Sequence, residues 1–382
     1  MAGSIERLDG VYLVVGPAGL EMVSGEAEAL GVSVGEGQRL VVPLGRRVPV
    51  LFRGARVLVS GGRVERGSLD VYRRLEEAAR KVAGLGGRIL LVGPTDSGKS
   101  TLAAWAVNLL GGKARLLTVD VGQNEYYAPA FEALLPGGAL LPGLAAGGSL
   151  STCFVGSFTP SRSHGRYIAC ASRLSRLAPG DVVVDTDGWV ARPEGFASKV
   201  SLAEAVGADY VVTLGLPRDY GDSLARAAGA AHVLSLGDLG VRRKDREERR
   251  VHRERLLAAR LVGSRPRPIR AVETVLVGSP VFNCESKGHM GPVVYSEDCG
   301  DRVVVVVKKP PKPRRQGRLL VLEEGWERNR IAAVLGDDGN HHIGLVERVN
   351  YRSRVFTVRT RYEGPARALL IGEARVDISL GG

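Results

Sequence analysis

Cysteine is scarce and scattered in this chain of 382 residues. The four cysteines, Cys153, Cys170, Cys284 and Cys299, form no C-x-x-C pair and no cluster with zinc-ligand spacing. We therefore expect neither a disulfide framework nor a structural metal. No apolar run approaches the roughly 18 residues of a membrane-spanning helix. The first residues lack an apolar leader core, so we expect an intracellular, cytoplasmic protein without membrane contact.

Lysine is also rare, since 44 of the 53 basic residues are arginine and only 9 are lysine. The net charge is +12. Guanidinium groups bind phosphate oxygens in pairs and stack on bases, so the positive charge favours a nucleic-acid partner. The ratio of arginine to lysine has a simpler explanation in a GC-rich or thermophilic genome.

The most informative segment is a phosphate-binding loop of the form G-x-x-x-x-G-K-[ST]. It lies between an apolar run at 89–92 and a helical pattern at 102–110, which is the setting that this motif requires. Its backbone N–H groups and the helix N-terminus suit the phosphates of a nucleoside triphosphate. Lys99 would neutralise the β- and γ-phosphates, and Ser100 would hold Mg²⁺. The candidate nucleotide-binding residues are Gly93, Pro94, Thr95, Asp96, Ser97, Gly98, Lys99, Ser100 and Thr101.

A second carboxylate is needed near the metal, and two predicted strands end in one. The segment 115–120 ends in Asp120, and the segment 181–185 ends in Asp185. Either could be the acid of the second nucleotide-binding motif, and the pattern alone does not choose between them. The GTPase specificity motif N/T-K-x-D is missing after the strand at 209–215, which disfavours a GTPase.

An arginine stripe is predicted on a helix near 242–260. Arg246, Arg249, Arg250 and Arg253 have i, i+3, i+4, i+7 spacing and would share one face. Such a stripe suits a lid that closes on a transferring phosphoryl group. The alternative is a solvated charged helix with i,i+4 ion pairs. Trp189 follows a strand end, where its ring could stack on a base or pack in the core.

The distribution of patterns predicts an α/β fold with three domains. Period-two stretches at 11–15, 39–42, 48–52 and 56–59 predict β structure, and 70–84 predicts a helix capped by Asp70. Strands at 88–92, 115–120, 181–185, 209–215 and 232–236 alternate with helices, which indicates a mainly parallel, doubly wound sheet. Further strands are predicted at 272–277, 302–307, 318–322, 331–335, 355–358 and 369–371. A basic, proline-rich loop at 308–318 separates two of them. The expected domains are 1–86, a β domain with a linking helix; 87–265, the P-loop domain with its lid; and 266–382, a β-rich domain.

Taken in order, these motifs resemble those of the polyribonucleotide 5′-hydroxyl kinases. The segments that carry the resemblance are 93–101, 120–123, 156–160, 185–190 and the arginine-rich run at 242–255. The family includes the RNA kinase associated with eukaryotic pre-mRNA cleavage and tRNA splicing. Its members have a central P-loop kinase domain between two β domains, so the resemblance extends over the whole chain.

The resemblance implies roles for individual residues. Lys99, Ser100 and Thr101 would bind phosphate and Mg²⁺, and Asp120 would be the acid near the metal and the base for the attacking hydroxyl. Gln123 would support the metal shell. Thr159 and Pro160 would belong to a clasp for the terminal phosphate of the acceptor, and Trp189 would stack on its base. Arg249 and Arg253 would be the lid arginines, although the run permits a shift to Arg246 or Arg250. Asp187 replaces a cysteine of some relatives, and we expect no consequence for the reaction.

The function implied is ATP- or NTP-dependent phosphorylation of 5′-hydroxyl ends of RNA or DNA, with Mg²⁺ as cofactor and RNA-processing proteins as partners of unknown identity. Two other functions fit a phosphate loop. A P-loop NTPase or GTPase would release phosphate without an acceptor, and a scaffold would retain its nucleotide without transfer.

Overall fold

The computed structural model describes residues 3–43, 46–111, 113–135, 150–230, 232–241, 246–288, 292–309 and 315–378. The chain divides into two compact units. The first contains residues 1–152 and 159–255, and the second contains 153–158 and 256–382. The division at 1–86, 87–265 and 266–382 stays a prediction. No helix within the described ranges is both long and apolar enough to span a bilayer.

The first unit begins with a six-stranded sheet whose pairings are antiparallel. The strand order is β3-β2-β5-β1-β6, and β4 pairs with β2. The predicted period-two stretches fall on β1, β4 and β5, and two of them merge into the long β5, whereas β2, β3 and β6 were not predicted. The strands are β1 (Ser4–Val15), β2 (Ala18–Ala29), β3 (Val32–Val34), β4 (Arg39–Val42), β5 (Arg47–Ser60) and β6 (Arg63–Arg66).

The linking helix α1 spans Leu69–Ala83 and confirms the helix predicted at 70–84. Its cap is Ser68, whose side chain accepts a hydrogen bond from the Val71 N–H. The predicted cap, Asp70, was wrong because it lies in the first turn, where its charge favours the helix dipole. Tyr72, Leu75 and Val82 form part of its buried face.

A seven-stranded sheet forms the rest of the first unit, in the order β10-β9-β8-β11-β7-β12-β13. The pairs among β8, β11, β7, β12 and β13 are parallel, and only β8–β9 is antiparallel among the pairs with a described register. The mainly parallel sheet was therefore predicted correctly, whereas β9 and β10 were not predicted. The strands are β7 (Arg88–Val92), β8 (Arg115–Thr118), β9 (Phe131–Leu135), β10 (Ser151–Phe154), β11 (Val182–Asp185), β12 (Tyr210–Leu214) and β13 (His232–Leu236).

Helices connect the parallel strands, because two neighbouring parallel strands need a crossover connection between them. Most strand residues near the centre of this sheet are buried on both faces, which explains their continuous apolar runs. The helices are α2 (Lys99–Leu109), α3 (His164–Leu177), α4 (Arg192–Val206), α5 (Arg218–Ala228) and α6 (Arg246–Leu261), with a short 3₁₀ helix at Pro160–Arg162 before α3.

The second unit contains two sheets, in the orders β14-β23-β22-β21-β24-β15 and β16-β17-β18-β20-β19. The return of β structure near residue 266 was predicted, and β22 is the longest described strand of this unit that was not predicted. The predicted basic loop falls partly on 310–314, outside the described residues. The strands are β14 (Arg265–Arg270), β15 (Val275–Val277), β16 (Glu285–Ser286), β17 (Val293–Asp298), β18 (Val303–Val307), β19 (Arg315–Gln316), β20 (Leu319–Glu323), β21 (Arg330–Leu335), β22 (His341–Asn350), β23 (Val355–Thr360) and β24 (Ala368–Arg375).

Cys284 and Cys299 form a disulfide in the second unit, so the expectation of no disulfide was wrong. A separation of 15 residues gives no sequence motif, but the antiparallel pairing of β16 with β17 brings the two cysteines together.

Replacing both cysteines by serine is expected to lower the free energy of unfolding by about 3 kcal/mol, because the unfolded chain regains the freedom of a closed loop of this length. Chemical denaturation of the wild type and of Cys284→Ser/Cys299→Ser under oxidising conditions measures the difference. Equal midpoints and slopes for the two proteins would contradict the prediction.

Candidate active site

The phosphate loop joins the end of β7 to the start of α2. Gly98 has φ +91° and Asp96 has φ +60°, so the loop bends through the left-handed region on both sides of Ser97. This bend aims the N-terminus of α2 at a pocket lined by Thr95, Asp96, Ser97, Gly98, Lys99, Ser100 and Thr101 together with Asp120, Gln123, Glu125, Val241, Arg46 and Arg47. The loop therefore has the form that the sequence predicted.

Lys99 is buried, and its ammonium group is satisfied by its own loop. The Nζ donates to the carbonyl oxygens of Gly93 and Pro94, each at 2.8 Å, and to the Ser97 hydroxyl at 3.4 Å. Burial lowers the pKa of Lys99, and the negative charges of Asp185 and Asp120 oppose that shift. Gly93 and Pro94 thus hold the Lys99 side chain through their carbonyl oxygens, whereas the other loop residues line the pocket.

Asp120 lies just beyond the end of β8 and opens onto the same pocket. Its Oδ1 accepts hydrogen bonds from the backbone N–H groups of Gly122 at 2.9 Å and Gln123 at 3.0 Å. Burial raises the pKa of Asp120, and the negative charge of Asp187 adds to the shift. The carboxylate is therefore fixed in orientation and more basic than an ordinary aspartate, as a general base requires.

Asp185 ends β11, which lies between β8 and the P-loop strand β7. It shares a side-chain hydrogen bond with Ser100, and burial raises its pKa to about 6. Its Oδ1 is buried without a hydrogen-bond partner in the described part of the chain. Hydroxyl and carboxylate oxygens are the ligands that Mg²⁺ prefers, so Ser100, Asp120 and Asp185 form a donor set that fits this ion. Both strand-end aspartates that the sequence left open thus belong to one site.

Helix α6, the predicted lid, brings Arg249 to the phosphate loop. Arg249 Nη1 lies 3.1 Å from Asp96 Oδ2. Arg253 is half-buried one turn further along the helix. Burial lowers the pKa of Arg253, and the neighbouring charge of Arg249 lowers it further. The negative charge of Asp120 opposes both effects. Arg250, by contrast, is exposed and pairs with Glu247 and Glu254. Arg246 is exposed at the start of α6, and residues 242–245 lie outside the described residues.

A buried cluster of Arg46, Glu125 and His252 was missed by the sequence. Arg46, directly before β5, forms an ion pair with Glu125, and His252 of α6 lies 3.0 Å from the other oxygen of Glu125. These residues are 79 and 127 positions from Glu125, so no local pattern could have joined them. The cluster joins the first sheet and the lid helix at the wall of the phosphate pocket.

A second group of predicted residues lies at the start of α3. Thr159 and Pro160 begin the short 3₁₀ helix, and His164 begins α3. The imidazole of His164 lies edge-on to the Trp189 ring, with centroids 6.5 Å apart and planes at 87°. The structure therefore brings the predicted stacking residue to the helix that follows the predicted clasp. The roles of all these residues stay predictions.

The two groups meet where Gly188 packs on Thr95. A Cβ at position 188 would overlap the Thr95 hydroxyl and backbone nitrogen, so only glycine permits this approach. The segment 186–189 is thus in direct contact with the phosphate loop.

Replacing Gly188 by alanine is expected to lower ATP affinity about 10-fold, because overpacking displaces the phosphate loop at a cost of about 1–3 kcal/mol. Titration with a fluorescent ATP analogue measures the change. Gly165→Ala is the matched control, since a Cβ there meets nothing within 4 Å. An unchanged affinity for Gly188→Ala would mean that the contact does not hold the loop.

A family model described as "mRNA cleavage and polyadenylation factor CLP1 P-loop" matches residues 93–259, which are just under half of the chain and include the phosphate loop, Asp120, Trp189 and most of α6. The chain is similar to curated proteins named polyribonucleotide 5′-hydroxyl-kinase Clp1. The polyribonucleotide 5′-hydroxyl-kinase Clp1 of Homo sapiens is 29% identical over 237 residues, which cover 53% of this chain and 54% of the relative. The Danio rerio protein of the same name is 26% identical over 383 residues, covering 92% of this chain and 81% of the relative.

In several of these alignments the chain spans only about half the length of the curated relative. The similarity also extends to the fold. A solved Clp1p–Pcf11p complex is 13% identical with a TM-score of 0.64, and the match covers 98% of this chain and 99% of the other. A second Clp1p structure has a TM-score of 0.62. At this identity the likeness concerns the fold alone.

Proposed function

We propose that the chain is a polynucleotide 5′-hydroxyl kinase that transfers the γ-phosphate of ATP, or another nucleoside triphosphate, to the 5′-hydroxyl end of RNA or DNA. The observation that carries the proposal is one pocket lined by the phosphate loop, Lys99 and Asp120, with the lid residue Arg249 at its edge. The names of the family's curated members support the same reaction.

Each group in the pocket has a task in phosphoryl transfer. The backbone N–H groups of the loop and the start of α2 hold the phosphates, and Lys99 neutralises their charge. Asp120 accepts the proton of the attacking 5′-hydroxyl, which its raised pKa favours. Arg249 and Arg253 stabilise the charge on the transferring group. Ser100, Asp120 and Asp185 would hold Mg²⁺, which would neutralise negative charge on the phosphates when bound.

The acceptor would lie on the side of Trp189, whose ring offers a stacking surface for the terminal base. Thr159 and Pro160 would contact the phosphate that follows this base. We also propose that the protein acts together with RNA-processing proteins, since the solved neighbour of similar fold is a complex of Clp1p with Pcf11p.

The test is a labelling assay with γ-labelled ATP, Mg²⁺ and 5′-hydroxyl oligonucleotides of RNA and DNA. We expect label on the oligonucleotide for the wild type and none for Lys99→Ala. Phosphate release that is independent of oligonucleotide would instead indicate an NTPase, and label equal to that of Lys99→Ala would reject the kinase.

A further inference from the structure

The segment 186–189, here called the Trp189 loop, is organised around one buried carboxylate. Asp187 Oδ2 accepts hydrogen bonds from Lys199 Nζ at 2.5 Å and from the Tyr167 hydroxyl at 2.6 Å. Its Oδ1 accepts one from the backbone N–H of Trp189 at 2.7 Å. The expectation that Asp187 has no consequence for the reaction stays a prediction, and these contacts show that its carboxylate fixes the backbone that carries the Trp189 ring.

The charges in this network are balanced. Lys199 Nζ and Asp187 Oδ2 form an ion pair in which both side chains are buried, so either charge without the other would be costly. The Tyr167 hydroxyl and the Trp189 N–H donate two further hydrogen bonds to the same carboxylate. The carboxylate is therefore held by three donors.

The rest of the Trp189 loop is fixed on both sides. The Thr186 hydroxyl donates to the carbonyl oxygen of Leu91 at the end of the P-loop strand, at 2.7 Å, and Gly188 packs on Thr95. On the other side, His164 lies edge-on to the Trp189 ring while its Nε2 contacts the Ser198 hydroxyl at 3.1 Å. Helices α3 and α4 thus each supply residues that hold the loop.

We propose that Asp187, Lys199 and Tyr167 are positioning residues that hold the Trp189 ring as a rigid stacking surface for the 5′-terminal base of the acceptor. The inference rests on the proposed kinase function and adds the groups that determine acceptor affinity. A surface fixed in advance loses little conformational entropy when a base binds. Loss of the network therefore weakens acceptor binding while leaving the nucleotide pocket in place.

The variants separate positioning from charge. Asp187→Ala removes all three acceptor contacts. Asp187→Asn/Lys199→Met removes both charges together, and the asparagine oxygen still accepts from the Trp189 N–H. Tyr167→Phe removes a single hydrogen bond and keeps the ring, so it remains informative if Asp187→Ala does not fold.

The readouts are the KM values for a 5′-hydroxyl oligoribonucleotide and for ATP, and the Kd of a 3′-dye-labelled oligonucleotide measured by fluorescence anisotropy. For Asp187→Ala we expect the acceptor KM and Kd to rise about 10- to 100-fold, the range of one lost stacking contact, with the ATP KM within about twofold. Tyr167→Phe and Asp187→Asn/Lys199→Met are each expected to raise the acceptor KM less than Asp187→Ala, because the Trp189 N–H keeps its acceptor in both.

A double-mutant cycle with Trp189→Ala is decisive. If Asp187 acts through the ring, Asp187→Ala or Tyr167→Phe adds no further rise in acceptor KM in the Trp189→Ala background. Additive effects, equal changes in both KM values, or an unchanged acceptor KM for Asp187→Ala would each overturn the inference. A wild type that binds but does not label the oligonucleotide would reject the proposed reaction instead, because the anisotropy measurement needs no catalysis.

Discussion

Replacing Arg253 or Arg249 by alanine is expected to lower kcat about 10³-fold, since arginines that contact a transferring phosphoryl group contribute about 10³- to 10⁵-fold in rate. Arg249 lies against Asp96 of the phosphate loop, and Arg253 is half-buried beside it with its charge near Asp120. Negative charge accumulates on the equatorial oxygens of the transition state, where two guanidinium groups stabilise it more than they stabilise bound ATP. Single-turnover labelling measures the loss.

Arg250→Ala provides the matched control on the same helix. Arg250 is exposed and held by Glu247 and Glu254, so its loss is expected to change kcat less than twofold and helix stability only slightly. Comparable losses for Arg250→Ala and Arg253→Ala would mean that the helix contributes only its general charge. A normal rate for both Arg249→Ala and Arg253→Ala would remove the lid from the mechanism.

Replacing Asp120 by asparagine is expected to lower kcat by about 10²- to 10⁴-fold, the usual contribution of a general base. Asparagine keeps the acceptor for the N–H groups of Gly122 and Gln123 but cannot take up the hydroxyl proton. Binding of a fluorescent ATP analogue should largely survive. Unchanged turnover would reassign the base, and a larger loss of turnover in Asp185→Asn would assign it to Asp185.

If Asp120 is the base, as proposed, its carboxylate is expected to determine the acidic limb of the pH profile. It would have to be ionised to accept a proton, so transfer is expected to decline as the pH falls through the pKa of Asp120. Burial, followed by the charge of Asp187, raises this pKa above the ordinary value of 3.8, and the decline is therefore expected at a higher pH than for an exposed aspartate. For Asp120→Asn this limb should be absent from the residual activity.

Local patterns predicted the parts of the site that are contiguous in sequence. The phosphate loop is a run of nine residues between a strand and a helix, and the spacing of Arg249 and Arg253 on α6 follows from helix geometry. Asp120 and Asp185 were both found because each ends a predicted strand. The strand order, with β11 between β8 and β7, brings the ends of these strands next to the phosphate loop, and that order could not be read from the sequence.

Long-range contacts explain what was missed. Arg46 contributes to the site through Glu125, and Lys199 is indistinguishable in sequence from a surface lysine on an amphipathic helix. Asp187 has no periodic signal, and its partners come from two helices. All residues of strand β9 are buried, and Glu132 interrupts its apolar run. The segment therefore has neither the alternating pattern nor the continuous apolar stretch that would predict a strand.

The cluster of Arg46, Glu125 and His252 shows that the segment matching the family model is not structurally self-contained. The segment that matches the family model begins at residue 93, whereas Arg46 and Arg47 of the first sheet are needed to complete the wall of the phosphate pocket. A segment cut at that boundary would lose the ion pair between Arg46 and Glu125, which lies beside His252 of α6. Transferring the proposed chemistry to another scaffold would therefore require the amino-terminal sheet as well.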